Sequence, residues 1–133
     1  MKRYTCIPAA DLVVQPGATV VDVTHFTAQA IPLEFAFEAM LTLYCKGGNA
    51  GNSGDVTFNF VTYDGDRALW DTEIYLSLPL TMSGVLARQQ SFALVTAGEK
   101  IKLYSIVNGD ATALHTVTVN ASIYIKFLDS PRP

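Results

Sequence analysis

Residues 33–45 read Leu33-Glu-Phe-Ala-Phe-Glu-Ala-Met-Leu-Thr-Leu-Tyr-Cys45. Taken in twos, Leu33, Phe35, Phe37, Ala39, Leu41, Leu43 and Cys45 fall on one side. Glu34, Ala36, Glu38, Met40, Thr42 and Tyr44 fall on the other. Strand side chains alternate between faces, so this period gives one apolar and one mostly polar face. At ~3.3 Å per residue the stretch would reach roughly 43 Å, far beyond the usual five or six residues. A bend, a bulge or a crossing between sheet edges is therefore expected within it, with Phe35 and Phe37 inside.

The same alternation recurs on both sides of this stretch. Residues 19–26 are β-branched and read as a strand, and 27–32 as a loop. The run Lys46-Gly-Gly-Asn-Ala-Gly-Asn-Ser-Gly54 is too rich in glycine for an element interior and is expected as a flexible exposed loop. Residues 55–63 alternate Val56, Phe58 and Phe60 against Thr57, Asn59 and Val61, and Asp64-Gly65 signals a hairpin. Residues 68–82 set Ile74, Leu76, Leu78 and Leu80 opposite Glu73, Tyr75, Ser77 and Pro79. Pro79 cannot donate to a ladder, which places this strand at an edge or a bulge. Ser83-Gly84 turns the chain, and 90–96 is a short strand. Residues 100–107 set Ile101, Leu103 and Ser105 opposite Lys102, Tyr104 and Ile106, before a turn at Asn108-Gly109-Asp110. The last strand, 114–128, sets His115, Val117, Val119, Ala121, Ile123, Ile125 and Phe127 against Thr116, Thr118, Asn120, Ser122, Tyr124 and Lys126.

The expected fold is all-β: an antiparallel β-sandwich of about seven or eight strands, jelly-roll-like or another Greek key. Residues 1–17, with Pro8, Pro16 and Gly17, read as an extended N-terminal arm with a short strand near Leu12–Val14. Residues 18–133 read as a single sandwich domain.

Composition narrows the function. Charged residues are 16% of the chain, against about 25% in ordinary soluble domains. Much of the surface is then neutral or apolar, which fits a permanent partner and equally an outside covered by Ser, Thr, Asn and Gly. The net charge of −3 and the lack of a basic cluster argue against nucleic acid. No run approaches the ~18 apolar residues of a membrane span, and no signal peptide is read at the N-terminus. Two cysteines, Cys6 and Cys45, set no disulfide framework; whether they pair stays open.

Catalytic, cofactor and metal motifs are lacking. Asp64, Asp66, Asp71 and Glu73 crowd the first hairpin without the spacing of a calcium loop. His25 and His115 have no neighbour at ligand spacing, and His115 is expected buried with a satisfied hydrogen bond. No nucleophile elbow or phosphate loop is present. Glu34 and Glu38, about 13 Å apart on a strand, are too distant for a glycosidase pair.

The strand Val56-Thr-Phe-Asn-Phe60, the run Leu76-Ser-Leu-Pro-Leu-Thr-Met-Ser-Gly84, Ile101-Lys-Leu-Tyr-Ser-Ile-Val-Asn108 and Val117-Thr-Val-Asn-Ala-Ser-Ile123 carry a resemblance. Over residues 56–127 the chain resembles small structural proteins of tailed-bacteriophage virions, of the head-decoration or cement type. The resemblance implies a non-enzymatic protein of the virion, assembled in the host cytoplasm. It also implies binding to the major capsid protein or other virion proteins as a homo-oligomer, a trimer by that analogy. It supplies no catalytic residue.

Two function classes follow. In the first, a capsid decoration or cement protein uses Glu34, Glu38, Met40, Tyr44, Thr116, Thr118, Asn120 and Tyr124, together with the arm, as its partner interface. In the second, a carbohydrate- or receptor-binding module of a phage tail or fibre uses Trp70, Tyr75 and the loop 48–54 as glycan contacts. A hydrolase with a site assembled only in space has no motif behind it.

Overall fold

The structure is a computed structural model that describes residues 2–7, 11–21, 26, 29–95 and 99–127. Among these residues eleven strands follow one another: β1 (Lys2–Thr5), β2 (Leu12–Val14), β3 (Thr19–Val21), β4 (Ile31–Pro32), β5 (Ala36–Gly47), β6 (Asp55–Asp64), β7 (Leu69–Trp70), β8 (Leu76–Thr81), β9 (Ala87–Leu94), β10 (Lys100–Asn108) and β11 (Val117–Phe127). One sheet has the order β1-β11-β5-β9, with β2 also on β11. The other has the order β3-β10-β6-β7, with β4 on β10 and β8 on β6. All pairings are antiparallel. From β4 onward, apart from the β6–β7–β8 run, each strand is followed by one in the opposite sheet. With β1/β2 and β3/β4 as broken edge strands, this is the strand order of a jelly roll.

The expected alternation builds the core. Leu41, Leu43 and Cys45 of β5 are fully buried, as are Val56, Phe58 and Phe60 of β6 and Val117, Val119, Ile123 and Ile125 of β11. Residues 2–5 and 12–14, within the expected arm, pair with β11 of their own chain. The cysteines are free and buried, and Cys6 N–H donates to Ala121 O at 2.9 Å. Burial pushes the Cys6 thiol up to about 12 and raises Cys45 as well.

Several expectations need correcting. Phe35 and Phe37 are 72% and 55% exposed. Leu33 is buried, but the chain then turns at Glu34-Phe35, where Ala36 N–H donates to Leu33 O at 3.0 Å and Phe35 takes φ 66°. Pairing steps from Lys126↔Glu38 to Phe127↔Ala36, so Phe37 is the extra residue of a bulge. The expected bend is there, and it expels both rings. A second bulge at Tyr104 lies between Leu103↔Phe60 and Ser105↔Asn59. It swaps the faces, so Ile106 points inward with Phe58, and Ser105 shares the outer face with Asn59.

The hairpin after Asp64 closes through a longer loop, with Tyr63↔Trp70 and Asp64↔Leu69 paired. Asp64 Oδ1 accepts from Asp66 N–H at 3.0 Å, and the positive φ falls on Ala68 (52°) rather than on Gly65. Residues 71–75 interrupt the strand expected over 68–82, which leaves Ile74 exposed. Pro79 does lie on an edge strand. Ile31–Pro32, expected as loop, pairs with β10. Of the strand expected over 19–26, Thr19–Val21 forms β3 and Phe26 is helical and buried; residues 22–25, with His25, lie outside the described residues. Leu114 takes φ 70°, so the last strand starts only at Val117 and His115 precedes it.

Candidate functional site

The outer face of the first sheet collects most of the expected interface residues. Directly paired residues share a face, so Met40 sits beside Tyr124, Tyr44 beside Asn120, Glu38 beside Lys126 and Thr118 beside Lys46. Glu34 is not on this face; it lies in the turn before β5. Thr116 precedes β11, and its carbonyl accepts from Gly48 N–H and from Asn52 Nδ2, both at 2.9 Å. It serves the loop rather than the face.

This face has two zones. Around Asn120 it is polar: a hollow of about 170 Å³ is lined by Arg3, Asp11, Thr42, Tyr44, Gln89 and Asn120 among others. There Asn120 Nδ2 donates to Asp11 Oδ1 at 2.6 Å, and Thr42 and Ser91 share a hydrogen bond of 3.0 Å. Toward Phe37 it becomes a mostly apolar groove of about 450 Å³, walled by Phe37, Met40, Ala93, Leu94, Val95 and Tyr124 among others, with Glu38 as its one charged residue. Val95 is 68% exposed, and Lys126 Nζ stands 5.6 Å from the Phe37 ring centre. The sequence concealed the groove, because Phe37 reads as an inward residue until the bulge is known.

Trp70 and Tyr75 do not form one site. Trp70 meets Tyr63 edge-on at 5.1 Å and carries Lys102 Nζ 4.5 Å from its ring centre. It lines a hollow of about 290 Å³ with Val61, Leu69, Asp71, Thr72, Lys102 and Tyr104. Tyr75 is exposed and is not part of that lining. Lys102 is 1% exposed, and burial lowers its pKa. Its position opposite Val61 in the ladder places it on the outer side of the second sheet.

At the far end of β5 the reverse occurs: polar groups are buried. Asn108 Nδ2 faces the carbonyls of Val14 (3.4 Å), Gln15 (3.3 Å) and His115 (3.0 Å), while its Oδ1 accepts from Asp110 N–H (3.0 Å). Asp110 accepts from Ser53 N–H at 2.9 Å and Thr112 N–H at 3.0 Å, and Oδ2 meets His115 Nδ1 at 2.8 Å. The Ser53 bond first, then the His115 and Thr112 bonds, hold its carboxyl well below the usual carboxylate range. His115 has its expected hydrogen bond, but on a loop and not on a strand face. The loop 48–54 is pinned here too, with Asn52 buried and donating to Met82 Sδ at 3.6 Å. Asp110 thus ties His115 to the backbone of Ser53 and Thr112. Asn108-Gly109-Asp110 had been legible only as a turn.

Among the described residues no group of three or more His, Cys, Asp or Glu side chains is placed to hold a metal ion. None of their helices is long and apolar enough to cross a membrane.

The strand order defines a jelly-roll β-sandwich. No protein family and no curated protein matches the chain. Solved structures do resemble it. One is a chain in the structure of infectious bursal disease virus Gx strain: TM-score 0.49, 14% identity, 92% of this chain and 30% of that one. A family 16 carbohydrate-binding module aligns with TM-score 0.37 and 13% identity over 90% of this chain and 76% of its own. The coat protein of tobacco streak virus aligns with TM-score 0.31 and 12% identity over 99% and 90%. The chain spans less than a third of the first of these.

Proposed function

We propose that the chain is a non-enzymatic structural subunit of a virus particle, a capsid decoration or cement protein bound to the phage head. The observation that carries this reading is the outer face of the β1-β11-β5-β9 sheet. It combines an apolar groove at Phe37, Met40, Val95 and Tyr124 with a polar zone at Tyr44, Thr118 and Asn120, where Arg3 and Asp11 also lie. An exposed apolar groove flanked by a polar zone is the composition of a protein interface, whose core is apolar and whose rim is polar. The bacteriophage assignment rests on the sequence resemblance. Repeated copies on a lattice would multiply weak contacts of this face into avidity. Quantifying the chain in purified particles and locating its density on them is the test. Fixed stoichiometry on the head surface is expected, and absence from the particles would overturn the reading.

The hollow at Trp70 favours a second reading, a carbohydrate- or receptor-binding module. An indole wall with Asp71, Thr72, Lys102 and Tyr104 around it offers both stacking and hydrogen bonds to a sugar ring. Tyr75 drops out of that site. A glycan array would decide: a hit abolished by Trp70→Ala supports this reading, and no hit removes it.

A further inference from the structure

The sandwich has four edges, and three are blunted. β1 and β2 flank β11 as two short pieces, one beginning Lys2-Arg3. β3 and β4 flank β10 as pieces of 3 and 2 residues. β8 carries Pro79, and β7 beside it has 2 residues. β9 is different. Its 8 residues, ARQQSFAL, hold no Pro or Gly and a single charge, Arg88. They pair with β5 without a register shift from Ala39↔Leu94 to Lys46↔Ala87. Among the described residues no strand lies on its other side. Natural edges of this length are normally bulged, broken or charged, because a flat free edge is a template for another strand.

The layer beneath is open on the same side. β8 and β9 are the neighbouring edges of the two sheets. Leu76, Leu78 and Phe92 pack against the core yet stay half-buried. Arg88 and Gln90, opposite the inward Cys45 and Leu43, are exposed. Leu86, in the β8–β9 connection, is 60% exposed.

We propose that β9 pairs antiparallel with β9 of a second copy about a two-fold axis, making one continuous sheet and closing the β8–β9 seam of each copy against the other. The self-complementarity of the strand selects a second copy as the occupant. Opposite residues of a continuous sheet face the same side, so the axis must pass through a residue pair. Centred on Gln90, it sets Arg88 of one copy against the Phe92 ring of the other, a cation over an aromatic. Centred on Ser91, it sets Arg88 against Leu94. In both registers the two arginines stay apart, and the charged end of each strand meets the apolar end of its mate.

Sedimentation of the full chain up to about 1 mM is expected to reach twice the 14.4 kDa chain mass. Gln90→Lys places like charges at or beside the axis and should weaken the dimer about tenfold or more. Gln90 is exposed, so the thermal midpoint of the dilute chain should not move. Amide exchange in β9 should slow with concentration in the parent chain and not in Gln90→Lys. A chain monomeric throughout, an assembly indifferent to Gln90→Lys, or protection confined to other strands would overturn the proposal. It stands apart from the virion reading: a β9 dimer that never enters particles sustains this inference and ends that one.

Discussion

The two ends of β5 break the same rule in opposite directions. At the Gly47 end polar groups are buried: Asn52, Asn108 and Asp110 sit inside a hydrogen-bonded knot of three loops. At the Ala36 end apolar groups are exposed: Phe35, Phe37, Met40 and Val95 face outward. Buried polar groups cost free energy unless paired, and these are paired, so their role is internal and complete. Exposed apolar groups have no internal role left to fill. The closed end therefore explains stability, and the open end is where function is to be sought.

The comparison can be broken most sharply at Asn108. Asn108→Ala leaves the carbonyls it faces without their donor and should cost about 3 kcal/mol, at ~1–3 kcal/mol for each buried group left unpaired. Urea denaturation measures it; a loss under about 1 kcal/mol would mean the knot is ornamental. Gly47→Ala comes next. Its Cβ would overlap the Gly84 carbonyl oxygen and press on Asn52, and overpacking of that kind costs about 1–3 kcal/mol. The same denaturation series reads it, and an unchanged midpoint would show that the loop yields freely.

Asp110 sharpens the picture through pH. Its carboxyl is held low in the fold and titrates near the ordinary ~3.9 when unfolded, so its contribution is complete above about pH 4 and is lost as pH falls below that. Melting temperature should therefore drop steeply below pH 4. In Asp110→Asn that slope should flatten, with a lower plateau at neutral pH. The smallest effect belongs to the open end. Phe37→Ser should change stability by no more than about 0.5 kcal/mol, because the ring is already in solvent. If this face binds capsids as proposed, the same substitution should weaken that binding, as a pull-down with purified capsids would show. A large loss of stability there would erase the contrast between the ends.

Much of the fold was legible because period two dominates β5, β6 and β11, and neither β6 nor the Ala39-to-Cys45 run breaks its alternation. What stayed hidden was each place where one extra residue resets the phase. Phe37 and Tyr104 look like ordinary members of an alternating strand, because a bulge is fixed by the partner strand and leaves no composition signal of its own. That Glu38, Met40, Tyr44, Thr118, Asn120 and Tyr124 share one outer face of β5 and β11 was legible for the same reason the strands were. The apolar groove beside it was not, since its wall is the bulged Phe37 itself. The Asn108–Asp110 knot was hidden differently: Asn-Gly-Asp has a sufficient local reading as a turn, and its partners at Val14 and Ser53 lie far off in sequence, while His115 meets Asp110 across an irregular loop.

The place of β11 has a kinetic meaning. It is the last strand of the fold, yet it lies between β5 and the β1/β2 edge. Residues 2–5 cannot find their ladder until residues 122–125 exist, and the apolar row of β5 lacks its main neighbour until then. Pairings so distant along the chain fold slowly, since the loop must close before any contact rewards it. At roughly 5–20 residues per second, the nascent chain carries that uncovered row for on the order of ten seconds. Aggregation competes with folding in that interval.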